Sequence, residues 1–242
     1  KDHEYKPTTN VAQNFNTVIY DGQAADLSVT GVGFTPDLVW IKCRDVAVTS
    51  HTLVDSVRGG DGTRMYSIFS DLPNIESTFN AVETIDLDGF TVFGDKSATN
   101  RATQEYVAWC FKAGGAAVLN EEGDEDSYVS ANNDLGFSIV KGDSTATGSD
   151  VKTVGHGLDS APELVIMKNR NDQDSWWVYS STTGVSKYLK LDSTVGTTTW
   201  FQNMVVNSTE IGVRTDSTGT WSNMIAYCFT SKRGVSKVGS YT

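Results

Sequence analysis

An all-β fold is what this 242-residue sequence predicts, and three observations predict it. Its apolar runs are short and rich in β-branched and aromatic residues. Gly, Asp, Asn and Pro punctuate them at roughly the 8–12-residue spacing of sandwiches, and no segment carries a 3.6-residue apolar stripe beyond about two turns. One run also occurs twice. Pro36-Asp37-Leu38-Val39-Trp40-Ile41-Lys42-Cys43-Arg44 returns as Pro162-Glu163-Leu164-Val165-Ile166-Met167-Lys168-Asn169-Arg170, with proline, acid, Leu-Val, Lys and Arg at the same offsets. Each run is stopped by Pro on the left and by charge on the right, the pattern of a strand buried on both faces.

Residues 1–14 are polar, contain Pro7 and show no periodicity, so an arm or linker is expected there. The first unit, 15–115, then reads as strands at Phe15–Tyr20, Leu27–Val32, Asp37–Lys42, His51–Asp55, Tyr66–Phe69, Val82–Leu87, Phe90–Phe93 and Tyr106–Lys112. Asp88-Gly89 between two apolar runs is a strong hairpin signal. Residues 116–134 contain Glu121-Glu122-Gly123-Asp124-Glu125-Asp126 and read as an acidic linker. The second unit, 135–235, repeats the order through Gly136–Val140, the returning proline motif, Ser175–Tyr179, Tyr188–Leu191, Met204–Val206, Ile211–Val213 and Met224–Phe229. Residues 236–242 read as a strand that closes the second unit or opens a third. Pro36 to Pro162 spans 126 residues and Cys110 to Cys228 spans 118, a difference of eight that loop length absorbs. The expectation is two tandem antiparallel β-sandwiches, jelly-roll or lectin-like, from an internal duplication, with one large sandwich made from both copies as the alternative.

Composition narrows the partners. The net charge is −11, and both halves share it: residues 1–120 hold 9 basic and 15 acidic side chains, residues 121–242 hold 10 and 15. With no basic stripe, a nucleic-acid partner is not expected. No apolar run reaches the ~20 residues of a membrane helix, so no membrane insertion is expected. Three cysteines without regular short spacing, Cys43, Cys110 and Cys228, make neither a disulfide framework nor a zinc site. The sequence opens on Lys1-Asp2-His3 without an initiator Met, which reads as a segment of a longer or processed polypeptide.

No Gly-x-Ser-x-Gly elbow, His-Glu-x-x-His or P-loop is present. His51, Asp55 and Ser56 contain the letters of a triad, but alternation on a strand sends His51 and Ser56 to opposite faces. His156 between two glycines reads as a turn residue. Asp37 and Glu163 are the two carboxylates at matching positions; pairing with Lys42, Arg44, Lys168 or Arg170 is the reading for them, a structural role. Glu122–Asp126 and Asp172–Asp174 lack the spacing of a twelve-residue calcium loop, so neither a metal nor a cofactor is expected. Glycan contact would use exposed aromatics beside polar groups. Trp176 with Asp174, Trp200 and Trp221 are the candidates, while Trp40 and Trp109 read as core.

The phrases Gly33-Phe34-Thr35-Pro36-Asp37-Leu38-Val39-Trp40-Ile41-Lys42, Asp55-Ser56-Val57-Arg58-Gly59, Asp88-Gly89-Phe90-Thr91, Tyr106–Gly115 and Ala226-Tyr227-Cys228-Phe229 together resemble an uncharacterised repeat domain of bacteriophage tail-fibre-like and other virion structural proteins, notably of marine phages. The resemblance covers roughly residues 15–242. Cys43 departs from it, standing where Asn is commoner, and so does Lys141, where a Tyr-rich strand is usual. It implies no catalytic residues. It implies a non-enzymatic virion component, made in a host cytoplasm and carried on the particle, acting as spacer or host-surface glycan adhesin. Its partners would be other virion proteins, copies of itself and a host glycan. A free-standing lectin-like module and a polysaccharide depolymerase are the alternative functions.

Overall fold

The computed structural model describes residues 10–142, 151–199, 203–213 and 223–240. The chain is all-β, with one 3₁₀ turn at Val11–Gln13 among the described residues. In the first half the strands are β1 (Phe15–Asp21), β2 (Leu27–Thr30), β3 (Leu38–Cys43), β4 (Thr52–Asp55), β5 (Ile68–Phe69), β6 (Val82–Asp86), β7 (Gly89–Val92) and β8 (Glu105–Phe111). They are followed by β9 (Val118–Asn120), β10 (Ser127–Asn132), β11 (Phe137–Gly142), β12 (Lys152–Gly155), β13 (Leu164–Asn169), β14 (Trp177–Ser180), β15 (Lys187–Lys190), β16 (Thr198–Thr199), β17 (Val205–Val206), β18 (Glu210–Val213) and β19 (Met224–Phe229).

These strands form a five-stranded sheet in the order β1-β8-β3-β4-β5 and an eight-stranded sheet in the order β16-β15-β14-β13-β19-β11-β10-β9. Two three-stranded sheets, β2-β7-β6 and β12-β18-β17, accompany them. The order β1-β8-β3-β4-β5 reappears inside the larger sheet as β11-β19-β13-β14-β15. Register matches as well: Leu38 faces Phe111 across β3 and β8, and Leu164 faces Phe229 across β13 and β19.

Side-chain alternation sorts the sheets into four layers. Val39, Ile41, Ala108 and Cys110 point toward the small sheet and pack on Val29, Phe90 and Val92. The opposite face of the same strands carries Leu38, Leu53 and Ile68, which pack on Phe137, Ile139, Ile225 and Tyr227 of the large sheet. That sheet's far face, with Val165, Met167, Ala226 and Cys228, closes on Val154, Ile211 and Val213. The order is therefore small, five-stranded, eight-stranded, small. The central strands are buried on both faces because each central sheet is sandwiched, as their near-continuous apolar runs require. Phe15, Phe111, Phe137 and Phe229 form a ring cluster along the central seam, with successive centroids 4.7, 5.3 and 4.9 Å apart.

Two expectations need correction. Residues 116–134 are not a linker: β9 and β10 lie within them and extend the large sheet. Val129 sits in the outer core of that half while Tyr128 packs at the central seam, so alternation outweighs the local acidity. Residues 236–240 form no strand; Ser236 instead pairs with Lys232 in an isolated bridge. The Asp88-Gly89 hairpin forms between β6 and β7. Gly89 passes so close to β2 that an added Cβ would lie 1.9 Å from the Val29 carbonyl oxygen, which reserves this position for glycine.

Candidate functional site

The repeated proline motif is an anchor for the end of its neighbouring strand. Pro36 and Pro162 are buried, and the acid after each donates its backbone N–H to the last carbonyl of the partner strand: Asp37 to Phe111 and Glu163 to Phe229, both at 2.8 Å. Each acid's own carbonyl then accepts from the chain beyond the next strand, Ser56 N–H in one case and Ser181 N–H in the other, again at 2.8 Å. The side chains continue the pattern. The buried Asp37 carboxylate accepts from Ala113 N–H (2.8 Å), Gly115 N–H (3.2 Å) and the Ser56 hydroxyl (2.8 Å). Glu163 accepts from the Ser231 hydroxyl (2.8 Å) and Ser231 N–H (3.3 Å). Backbone amides and serine hydroxyls, not the expected Lys and Arg, satisfy these carboxylates, because the turn leaving β8 or β19 carries N–H groups that need an acceptor.

The motif's cations have separate tasks. Lys42 folds onto the following loop and donates to the Thr49 carbonyl (2.5 Å) and hydroxyl (3.0 Å). Lys168 donates to the carbonyls of Asn169 (2.5 Å) and Asp172 (2.9 Å) in the matching loop. It is fully buried, and burial pulls its pKa down to about 8 against the opposing pull of Asp174, Asp192 and Asp172. Arg44 meets Glu105 at 3.1 Å in an exposed pair. Arg170 reaches Glu76 of the first half at 3.0 Å.

Glu76 opens a chain of charges that crosses the central seam. Its second oxygen accepts from Arg58 at 3.1 Å. The Arg58 Nε donates to Asp55 at 2.5 Å, and Asp55 also accepts from the Tyr227 hydroxyl at 2.7 Å. Asp55, Arg58 and Tyr227 are buried. Burial opposes the Arg58 charge, yet Asp55, Tyr227 and Glu76 hold its pKa above the ordinary arginine value. Burial, and after it the Asp55 charge, push the Tyr227 phenol well above its usual range.

The strand where the two motif contexts differ, His51–Asp55 against Ser175–Tyr179, supplies the ends of this tie. Asp55 and Ser180 occupy matching positions opposite Leu38 and Leu164. Asp55 takes the Tyr227 hydroxyl, and Trp176 donates its indole N–H to the Phe69 carbonyl at 2.8 Å. Trp176, proposed from the sequence as a glycan contact, is fully buried and stacks on Tyr227 at 6.4 Å, so it has no face to offer a sugar. Its neighbour Asp174 is half-buried and accepts from Ser175 N–H. Trp200 and Trp221 lie outside the described residues. Of the two tryptophans read as core, Trp40 is half-buried and packs against the central core, and Trp109 is half-buried. Their rings meet edge to face at 6.2 Å, Trp40 donates to His51 Nδ1 at 3.1 Å, and Ile19, paired with Val107 on the neighbouring strand, is 68% exposed. Strand alternation gave no signal for this, because it fixes which face a residue joins and not whether that face is covered.

The other candidate groups are engaged locally. His51 accepts from Trp40, Asp55 from Arg58, and Ser56 donates to Asp37, so the three do not form a triad. His156 is buried at its turn, accepts from Leu158 N–H and contacts the Asn207 carbonyl. Asp124 accepts from Thr153 N–H and its hydroxyl. Among the described residues no group of three His, Cys, Asp or Glu is placed to hold a metal ion. The three cysteines are free and buried, and burial raises the Cys110 and Cys228 thiols to about 12.

A protein family described as a domain of unknown function, DUF7483, matches residues 10–242. The chain belongs to that family. The match runs through both halves and across 116–134, in keeping with sheets that share the central core. No curated protein and no solved structure matches the chain.

Proposed function

We propose that this chain is a non-enzymatic structural segment of a virion appendage, a tail fibre or surface spike of a bacteriophage, that serves as a rigid spacer and presents a host-surface contact. The carrying observation is how its buried and half-buried charged groups are engaged. Asp37 and Glu163 anchor strand ends, Lys42 and Lys168 brace loops, and Asp55, Arg58, Glu76 and Arg170 tie the two halves together. This is the chemistry of a module that resists deformation. The family-like phrases at 33–44, 55–59 and 106–115 support the virion setting.

The two halves are, in this reading, copies of one β-sandwich unit produced by internal duplication. The repeated strand order and the matching hydrogen bonds at Asp37 and Glu163 support it. Partners are other virion proteins and further copies of the chain. A free-standing carbohydrate-binding module is the second reading, favoured by the half-buried Trp109 and the exposed Ile19. Mass spectrometry of particles purified from the encoding phage separates the two. Peptides of this chain at appendage stoichiometry, with antibody label on the appendage, are expected; recovery solely outside particles would reject the virion reading.

A further inference from the structure

We propose that the cleft where the two halves meet beside Glu76 binds a neutral oligosaccharide. The inference rests on the host-contact arm of the reading above and names its ligand class. The cleft has a volume of about 400 Å³ and is walled by Phe69, Asn74, Ile75, Glu76, Ser77 and Thr78 from the first half and Gln173 from the second. That volume falls within the roughly 300–1,000 Å³ of small-molecule sites.

Its floor is preorganised. The Glu76 carboxylate is 15% exposed and held on both oxygens by Arg58 and Arg170, while its backbone N–H bonds to the Arg170 carbonyl at 2.7 Å. Ser77 is fixed by two backbone bonds to Ser67, at 2.8 and 2.9 Å. Groups already ordered cost a ligand less on binding. The charges under the floor cancel: Asp55 and Glu76 against Arg58 and Arg170. The Glu76 carboxylate retains acceptor sites for hydroxyl donors.

The walls suit the same ligand. Asn74 and Gln173 are exposed, and neither side chain makes a hydrogen bond among the described residues. An amide offers a donor and an acceptor side by side, the pattern that neighbouring sugar hydroxyls require. Phe69 and Ile75, the latter 45% exposed, line the cleft. Together they present an apolar surface for the C–H face of a pyranose. At the Trp40–Trp109 pair the Trp40 N–H is already engaged by His51.

The test is saturation-transfer NMR on the intact 242-residue chain. Cellobiose, maltose and N-acetylchitobiose serve as neutral probes and sialyllactose as an acidic one. Binding of at least one neutral disaccharide in the millimolar range is expected, with none of sialyllactose. N74A and Q173A should each weaken it about tenfold, since an exposed site loses a bidentate partner, with an unchanged thermal midpoint. No neutral probe bound, preferred binding of sialyllactose, affinity unaltered in N74A and Q173A, or loss confined to W109A would each overturn the proposal. A negative result removes the sugar site and leaves the virion reading to the particle measurement.

Discussion

At the residue scale, similar letters perform unequal work. Asp37 is buried and accepts three hydrogen bonds, whereas Glu163 is half-buried and accepts two, both from Ser231. Asp37→Ala leaves the N–H groups of Ala113 and Gly115 without their acceptor and should cost about 2–4 kcal/mol, against about 1 kcal/mol for Glu163→Ala. Urea denaturation of the two variants checks the order. Lys168 carries a pH signature. Its pKa is depressed to about 8, below the ordinary lysine value, so the unfolded chain holds more protons in between. The Lys168 contribution to stability therefore rises as pH goes from about 8 toward about 10.5. Buried Cys110, Cys228 and Tyr106, whose pKa values are raised, act in the opposite sense in alkali. The stability difference between the chain and Lys168→Met isolates the lysine, and it should shift in favour of the parent chain as pH climbs through that window.

At the element scale, β4 and the residues flanking β14 separate two otherwise parallel sheets. A strand order shared by both halves would give two similar surfaces at the seam, and Asp55 and Trp176 break that symmetry by each reaching into the opposite half. Arg58→Met removes the partner of two buried or half-buried carboxylates and should destabilise the chain by about 3–5 kcal/mol, because uncompensated charge is left inside. Tyr227→Phe leaves Asp55 its Arg58 contact and should cost about 1–2 kcal/mol. Chemical denaturation of both variants tests the ranking; equal costs would mean that the Arg58 charge is solvated in place. Most strands were legible from alternation and turn chemistry. β9 and β10 were not, because the six acid-rich residues at 121–126 dominate the local composition while Val129 and Tyr128 sort to two different cores.

At the scale of the whole molecule, the central seam governs behaviour. Leu38, Leu53 and Ile68 are buried only because Phe137, Ile139 and Tyr227 cover them. A fragment of residues 10–115 would expose that surface as one apolar patch, a hallmark of aggregation. Calorimetry of the full chain should give one cooperative transition, and the isolated fragment should aggregate or bind a hydrophobic dye. Two separate transitions would mean that each half is stable without the seam. The candidate sugar cleft shares this dependence, since Gln173 and Arg170 reach it from the second half.

The sequence by itself determined the all-β class, the strand positions around the proline motif, the Asp-Gly hairpin and the recurrence of that motif. These follow from local rules: alternation, proline's missing N–H and the backbone freedom of glycine. Only the tertiary structure decided which sheet faces are covered. That choice made Trp176 core and left Trp40 and Trp109 half-buried. It gave Asp37 backbone partners in place of a cation, and it brought Glu76, 94 positions away in the chain, onto Arg170. Strand periodicity fixes the face a side chain joins, but what lies against that face depends on contacts between residues far apart in the chain.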